Sequence, residues 1–205
     1  GRGRGDTEIM AGNETCAAHA CGREVWAGYG KTPVVQTSRL DLVAANATFT
    51  EAEIEGPARL STLLHARVGS GWLPPDLAEV LPLFLGMLCD DPGLCGWLHW
   101  YGVFREPEPV LAASGGFRDG PDESGMVEIG YSVEPAFRGM GIASEMVRGI
   151  AGWAFAQRIE AETAIDNTGS LGVLRRCGFH ECGPGGEAGN ARYVLVPGDM
   201  ETVCR

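Results

Sequence analysis

The chain has 205 residues, 44% of them hydrophobic, and a formal charge of −11. That length carries one ordinary domain with a full core; the negative balance argues against a broad nucleic-acid surface, and it either only keeps the protein soluble or favours a cationic amine over an anionic partner. The longest apolar run, Val80 to Leu88, is broken by Pro82 and Gly86 and falls far short of a bilayer span; no membrane segment or signal peptide is expected, and seven scattered cysteines fit a reduced, cytoplasmic setting.

Residues 1–36 are rich in Gly and Ala without an apolar period, and read as an N-terminal extension or cloning remnant with short helical pieces. Within them, Cys16-Ala-Ala-His-Ala-Cys21 offers three possible metal ligands but lacks the second half of a zinc site, so no metal is expected. The domain is placed at 37–197, with 198–205 as a C-terminal tail. A first strand is expected over Thr37–Val43, and a helix capped by Thr48 or Thr50 with Glu51 and Glu53 at its positive end. A second helix starts at Pro57 and stops before Gly69. Gly71-Trp-Leu-Pro-Pro75 is a loop, and Asp76 caps a third helix in which Pro82 marks a kink or break. Trp97–Phe104 and Val110–Phe117 are strands by aromatic and β-branched content, followed by a third at Met126–Val133; the short connections suggest an antiparallel meander.

After Met126–Val133 come a turn, Glu134–Phe137, a glycine-bearing loop, Arg138–Gly141, and a helix from Ile142 to about Ala156 with an apolar stripe at steps of three and four. This order suits an anion: the helix N-terminus leaves backbone N–H groups unpaired, glycines permit close approach, and Arg138 adds a fork of donors. Ile159–Ile165 alternates as a strand, which makes strand, helix, strand a parallel crossover. A short helix from Ser170 to Gly178 and two strands, Phe179–Cys182 and Ala191–Val196, complete the domain.

Arg138-Gly-Met-Gly-Ile-Ala143 matches the Arg/Gln-x-x-Gly-x-Gly/Ala signature, and with Val127–Val133 before it and Asn167-x-x-Ser170, Leu174 and Cys177-Gly-Phe179 behind it the chain resembles the GCN5-related N-acetyltransferases, closest by eye to the ribosomal-protein alanine acetyltransferases. The resemblance covers about residues 37–197 in element order and is specific from about 110 to 180. It implies an α+β fold with a mostly antiparallel sheet of six to seven strands, helices on both faces, and the family's fourth and fifth strands parallel and splayed after Tyr131. It further implies acetyl-CoA as cosubstrate and transfer to a primary amine by direct attack in a ternary complex, with a small-molecule or peptide acceptor and a monomer or homodimer. The backbone of Arg138, Gly139, Met140, Gly141, Ile142 and Ala143 would hold the pyrophosphate. Tyr131, Ser132 and Val133 would pair with the pantetheine, with an N–H near Val133 polarising the thioester, and Asn167 and Ser170 would flank it.

For catalysis, Ser170 is a candidate acid as well as a helix cap, and Glu128 is the candidate base, with Glu162 as runner-up or acceptor-binding residue. Leu174 stands where many family members carry an acidic Tyr. Trp72, and less so Trp97, His99 and Trp100, are either acceptor-pocket or core residues. Two other functions remain open at this point: an acyl-CoA-binding module without catalysis, and a domain whose Gly139–Gly141 loop holds another nucleotide.

Overall fold

The computed structural model describes residues 23–24, 29–72, 75–154 and 158–196. The tempting Cys16–Cys21 pattern and the C-terminal tail lie outside them. Nine strands form one sheet among the described residues: β1 (Arg23–Glu24), β2 (Val34–Gln36), β3 (Leu40–Ala44), β4 (Trp100–Phe104), β5 (Val110–Phe117), β6 (Met126–Val133), β7 (Arg158–Ala164), β8 (His180–Pro184) and β9 (Asn190–Leu195). Their order is β1-β2-β3-β4-β5-β6-β7-β9-β8. Every neighbouring pair is antiparallel except β6 with β7, which run parallel.

The expected count of six to seven strands is therefore too low. β3 to β9 supply seven, and residues ahead of 37 add β1 and β2. Val34 and Val35 are buried on the sheet, and Thr32 donates its hydroxyl to the Ala44 carbonyl at 2.6 Å, so the sheet takes in residues before 37. Strands of two and three residues are too short to show a period of two in sequence.

Five α-helices cover the two faces: α1 (Ala47–Glu55), α2 (Pro57–Leu64), α3 (Pro75–Asp90), α4 (Ile142–Ala154) and α5 (Thr168–Arg176). α1 begins earlier than Thr48 or Thr50 would place it, because Asn46 is the cap and accepts from the Phe49 N–H at 3.1 Å. α3 runs through Pro82 without a break, with Leu81 and Leu88 buried. One core lies under α4 and α5, where Ile142, Met146, Val147, Ile150 and Leu174 meet Leu42, Trp100, Val127 and Ile129. The other lies under α1 and α2, where Phe49, Leu60 and Leu64 meet Val43, Tyr101, Val103 and Leu111. The first three residues of the expected strand from Trp97, by contrast, precede it: Trp97 lies in a turn and packs its ring on Phe117 and Trp153.

The parallel pair matters most for the site. β6 and β7 pair only at Met126–Arg158, Val127–Ile159 and Glu128–Glu160. Beyond Glu128 they part, which is earlier than the splay expected after Tyr131. On its other side β6 stays paired with β5 as far as Val133. Backbone bonds run from Arg118 N–H to Glu128 O at 3.0 Å and from Glu134 N–H to Ala112 O at 2.9 Å. Antiparallel pairing alternates, so Gly130 and Ser132 direct both backbone groups at β5, as do the Glu128 C=O and the Glu134 N–H, while the Glu134 C=O accepts from Phe137. Ile129, Tyr131 and Val133 turn theirs toward the gap.

Candidate active site

The loop after β6 closes in a short 3-10 helix, Pro135–Phe137, and then runs through two glycines in the left-handed region, Gly139 at φ 76° and Gly141 at φ 78°. A side chain at either position would be strained. α4 then begins at Ile142, with the Glu145 N–H already bonded back to Gly141 O at 3.1 Å. The N–H groups ahead of it have no acceptor inside the helix, and they open onto a cleft of about 1080 Å³. Four arginines line this cleft, Arg39, Arg138, Arg148 and Arg176, in a chain of net charge −11. Local cationic lining and helix N-terminus together suit a phosphorylated ligand.

Arg39 and Glu145 were not legible as site residues. Arg39 donates from Nε to Glu145 Oε2 at 2.7 Å and from Nη1 to the Met140 carbonyl at 2.8 Å. Glu145 Oε1 accepts from the Thr37 hydroxyl at 2.6 Å, the Ser38 hydroxyl at 3.0 Å and the Arg39 N–H at 2.7 Å. Burial would raise the Glu145 pKa, but these donors outweigh it and the carboxyl is held below its ordinary value. The strap ties the start of β3 to the glycine loop. Arg148 bonds the Arg176 carbonyl at 2.6 Å, while its buried Nε has no hydrogen-bond partner. Nothing local in sequence marks either arginine.

The predicted loop residues fall together here. Arg138 curls back so that its Nε donates to the Val133 carbonyl at 3.1 Å. Met140 is 45% exposed, whereas the Ile142 side chain is core, so only its backbone faces the cleft. Asn167 and Ser170 line the same cleft at the start of α5. Asn167 Oδ1 caps that helix by accepting the Ser170 N–H at 3.0 Å. The Ser170 hydroxyl lies 2.9 Å from the Tyr131 hydroxyl. Burial pushes the Tyr131 phenol up, against the lowering effect of its bond to Ser170. Leu174 is fully buried in the core, so it presents no proton donor. Ser132 needs a correction: its backbone is committed to β5, and only the rest of the residue reaches the cleft.

A second cleft, of about 490 Å³, lies between α3 and the sheet, lined by Leu77, Val80 and Phe84 on one side and by His99, Ser114, Glu128 and Glu162 among others on the other. Tyr131 and Ser132 line both clefts, so the two meet at the unpaired edge of β6. Glu128 shares the second cleft with Arg118, whose Nη1 donates to its Oε2 at 3.2 Å. Glu162 has both oxygens taken by the loop before β9: Oε2 accepts from Gly186 N–H at 2.8 Å, and Oε1 from Glu187 N–H at 3.2 Å and Asn190 Nδ2 at 3.0 Å. The Gly186 N–H first, then Asn190 and Glu187, lower its pKa, which makes it a fixed negative charge and a poor base.

Of the four aromatic candidates only His99 reaches this cleft. The substrate-binding reading of Trp72 is corrected: it is 7% exposed in the second core, with its indole N–H on Glu53 Oε1 at 2.8 Å. A large ring buries where its one polar atom finds a partner. Trp100 is likewise buried, its N–H on the Gly96 carbonyl at 2.7 Å. Among the described residues no group of three His, Cys, Asp or Glu is placed to hold a metal ion, and no helix is long and apolar enough to cross a membrane.

Residues 57–180 match the family model described as "Acetyltransferase (GNAT) domain". A curated relative, the uncharacterized N-acetyltransferase YjdG of Bacillus subtilis, is 27% identical over 150 residues, covering 71% of this chain and 89% of its own. Among solved structures, a ribosomal-protein-S5-alanine acetyltransferase from Vibrio fischeri aligns with TM-score 0.57 at 14% identity over 82% of this chain and 98% of that one. The Microcin C7 self-immunity acetyltransferase MccE, solved with acetyl-CoA and AMP, aligns with TM-score 0.54 at 15% identity over 78% and 93%. At such identities these structures speak for the fold, while the family model spans more than half of the chain. The helix-capped glycine loop, the parted parallel strands and the family match lead to one conclusion: this chain belongs to the GNAT family of acetyltransferases, and it is an acyltransferase.

Proposed function

We propose that the protein moves an acetyl group from acetyl-CoA to a primary amine by direct attack in a ternary complex. The observation that carries this is the meeting of two clefts at the free edge of β6. One cleft has the cationic lining and helix N-terminus that suit a pyrophosphate, and the other is apolar on its α3 side and acidic on its sheet side. Backbone N–H groups of Gly139 to Ala143, with Arg138 and Arg39, hold the pyrophosphate. The Tyr131 and Val133 backbone groups that face the gap take the pantetheine amides, and the Val133 N–H polarises the thioester carbonyl. The paired hydroxyls of Ser170 and Tyr131 lie on the same side, where they serve as donors toward the departing sulfur. Asn167 supports that arrangement by fixing Ser170 at the start of α5.

Glu128 and Glu162 give the second cleft a negative rim that draws a cationic amine. The acceptor is a protein N-terminus or a small-molecule amine. The described cysteines, Cys89, Cys95, Cys177 and Cys182, are free thiols, in keeping with a cytoplasmic protein. No metal takes part in this scheme.

Arg138→Glu tests the assignment. Reversing the charge beside the loop is expected to weaken CoA binding about 30-fold or more, from the ~2 kcal/mol or more lost when a charged pairing is broken. Calorimetric titration with CoA measures this, and thiol release from acetyl-CoA over a panel of amines should fall with it. Unchanged CoA affinity would refute the loop assignment. One observation favours a second reading, an acyl-CoA-binding module: Leu174 brings no acid to the site. Tight acetyl-CoA binding with no thiol release for any amine would select it.

A further inference from the structure

Beside the acceptor cleft lies a buried polar cluster that acetyl-CoA binding does not use. The side chains of His99 and Glu53 are 4% and 1% exposed, yet both are ionisable. Glu53 Oε2 accepts the Tyr101 hydroxyl at 2.7 Å, and Oε1 accepts the Trp72 indole N–H at 2.8 Å. His99 Nε2 stands 3.4 Å from Oε2, an ion-pair separation short of a formed hydrogen bond, and has no other partner. The His99 ring meets Tyr101 edge-on at 4.7 Å and also lines the cleft.

A cluster serving stability alone is a poor bargain here, since apolar residues of the same volume are often as stable or more so. Its placement has a different logic. His99 precedes β4 and lies opposite Gly116 of β5, which pairs with Gly130 of β6. A Cβ on Gly116 would come within 2.1 Å of the Leu98 carbonyl and 3.0 Å of the His99 Cα. On Gly130 it would meet nothing within 4 Å. Gly116 thus lets the Leu98–His99 backbone lie close over β5, while the cleft that His99 lines is open above Gly130 at β6, about two strand spacings or ~10 Å from β4. The open part over Gly130 has room for an amine, with a water between it and the ring.

We propose that His99 is the base of the acetyl transfer, and that Glu53 is the positioning residue that orients its ring. This rests on the acetyl-transfer reading above and changes one expectation from the sequence. Glu128, tied to Arg118, holds the ammonium rather than taking its proton. Glu53 faces Nε2, so Nε2 carries the hydrogen and Nδ1 the lone pair. Burial would raise the Glu53 pKa, but the His99 imidazole and the bonds from Tyr101 and Trp72 outweigh it and keep the carboxylate charged.

The steps balance. The ammonium gives one proton to His99 through the water. The neutral nitrogen forms the C–N bond to the acetyl carbon, and the C–S bond breaks with its electron pair going to sulfur. The nitrogen then loses a second proton, which ends on the thiolate. His99 passes its own proton to solvent.

The test uses the full chain, acetyl-CoA, and primary amines graded in basicity, from alkylamines charged at neutral pH to trifluoroethylamine, which is already neutral. His99→Gln should slow thiol release about 100-fold or more with alkylamines. The loss should shrink to a few-fold with trifluoroethylamine, and the acetyl-CoA dissociation constant should stay within about threefold. Glu53→Gln should show the same dependence on amine basicity at about tenfold, and it carries the test if His99→Gln does not melt cooperatively. Equal losses across all amines would assign the cluster a structural role only and overturn the proposal. So would full activity in both variants, or the graded pattern appearing in Glu128→Gln instead. If the unaltered protein releases no thiol with any amine, the acetyl-transfer reading falls first and takes this proposal with it.

Discussion

Replacing Glu53 by alanine is expected to lower folding stability by about 3–5 kcal/mol, the usual cost of removing one partner from a buried charged cluster. The loss is large because three groups depend on one carboxylate. The Trp72 indole N–H and the His99 ring would be left in the interior with no acceptor, and the Tyr101 hydroxyl with the long bond to the Phe49 carbonyl at 3.4 Å. Burial pushes the Tyr101 phenol well up, with the Glu53 charge adding to it, so this hydroxyl stays neutral and needs an acceptor. Urea unfolding of the two proteins at neutral pH measures the difference, and a loss below about 1 kcal/mol would mean that water replaces the carboxylate. The pH dependence has a definite sign. The folded-state pKa of Glu53 lies below its ordinary value of 4.5, so its contribution is complete above that value and is lost as pH falls through the folded value. Unaltered protein should therefore lose stability more steeply from about pH 5 downward than Glu53→Gln does.

Gly116→Ala should be nearly as damaging, at about 3 kcal/mol. The added methyl would sit 2.1 Å from the Leu98 carbonyl oxygen, and that oxygen belongs to backbone, so no rotamer change relieves the clash. β4 and β5 would have to separate, and they share five paired positions in the middle of the sheet. Gly130→Ala is the comparison, since its methyl meets nothing within 4 Å and the change should stay within about 0.5 kcal/mol. Thermal unfolding of both variants decides it. Similar melting points would mean that the sheet absorbs the methyl without strain.

The glycine pair at 115 and 116 reads in sequence as a place of close approach or a bulge, and the structure shows the approach at Gly116, whereas nothing along the chain marks Glu53 as the centre of a buried cluster. The cofactor side reads differently. β6, the glycine loop and α4 were legible because each signal is local: alternation over eight residues, left-handed glycines at 139 and 141, and an apolar stripe from Ile142 onward. Asn167 and Ser170 were legible for the same reason, since the cap bond spans three residues. Arg39 was missed because its partner Glu145 is 106 positions away. Trp72 reads in sequence as an acceptor-pocket residue because nothing in its neighbourhood announces a partner for its N–H, which Glu53 supplies from 19 positions earlier. The splay was placed too late because β6 and β7 carry strand-like sequence past the point where their pairing ends.

The sequence by itself determined the helices, the strands from Leu40 onward, the anion-suited loop and the family, because capping, glycine conformation and hydrophobic period act over a few residues at a time. The tertiary structure alone decided which face each element presents, that two clefts meet at the free edge of β6, and that Glu53, Trp72, His99 and Tyr101 share one buried cluster. Those facts depend on strand register and on the burial of charge. Neither is set until distant segments pack and water is excluded from between them.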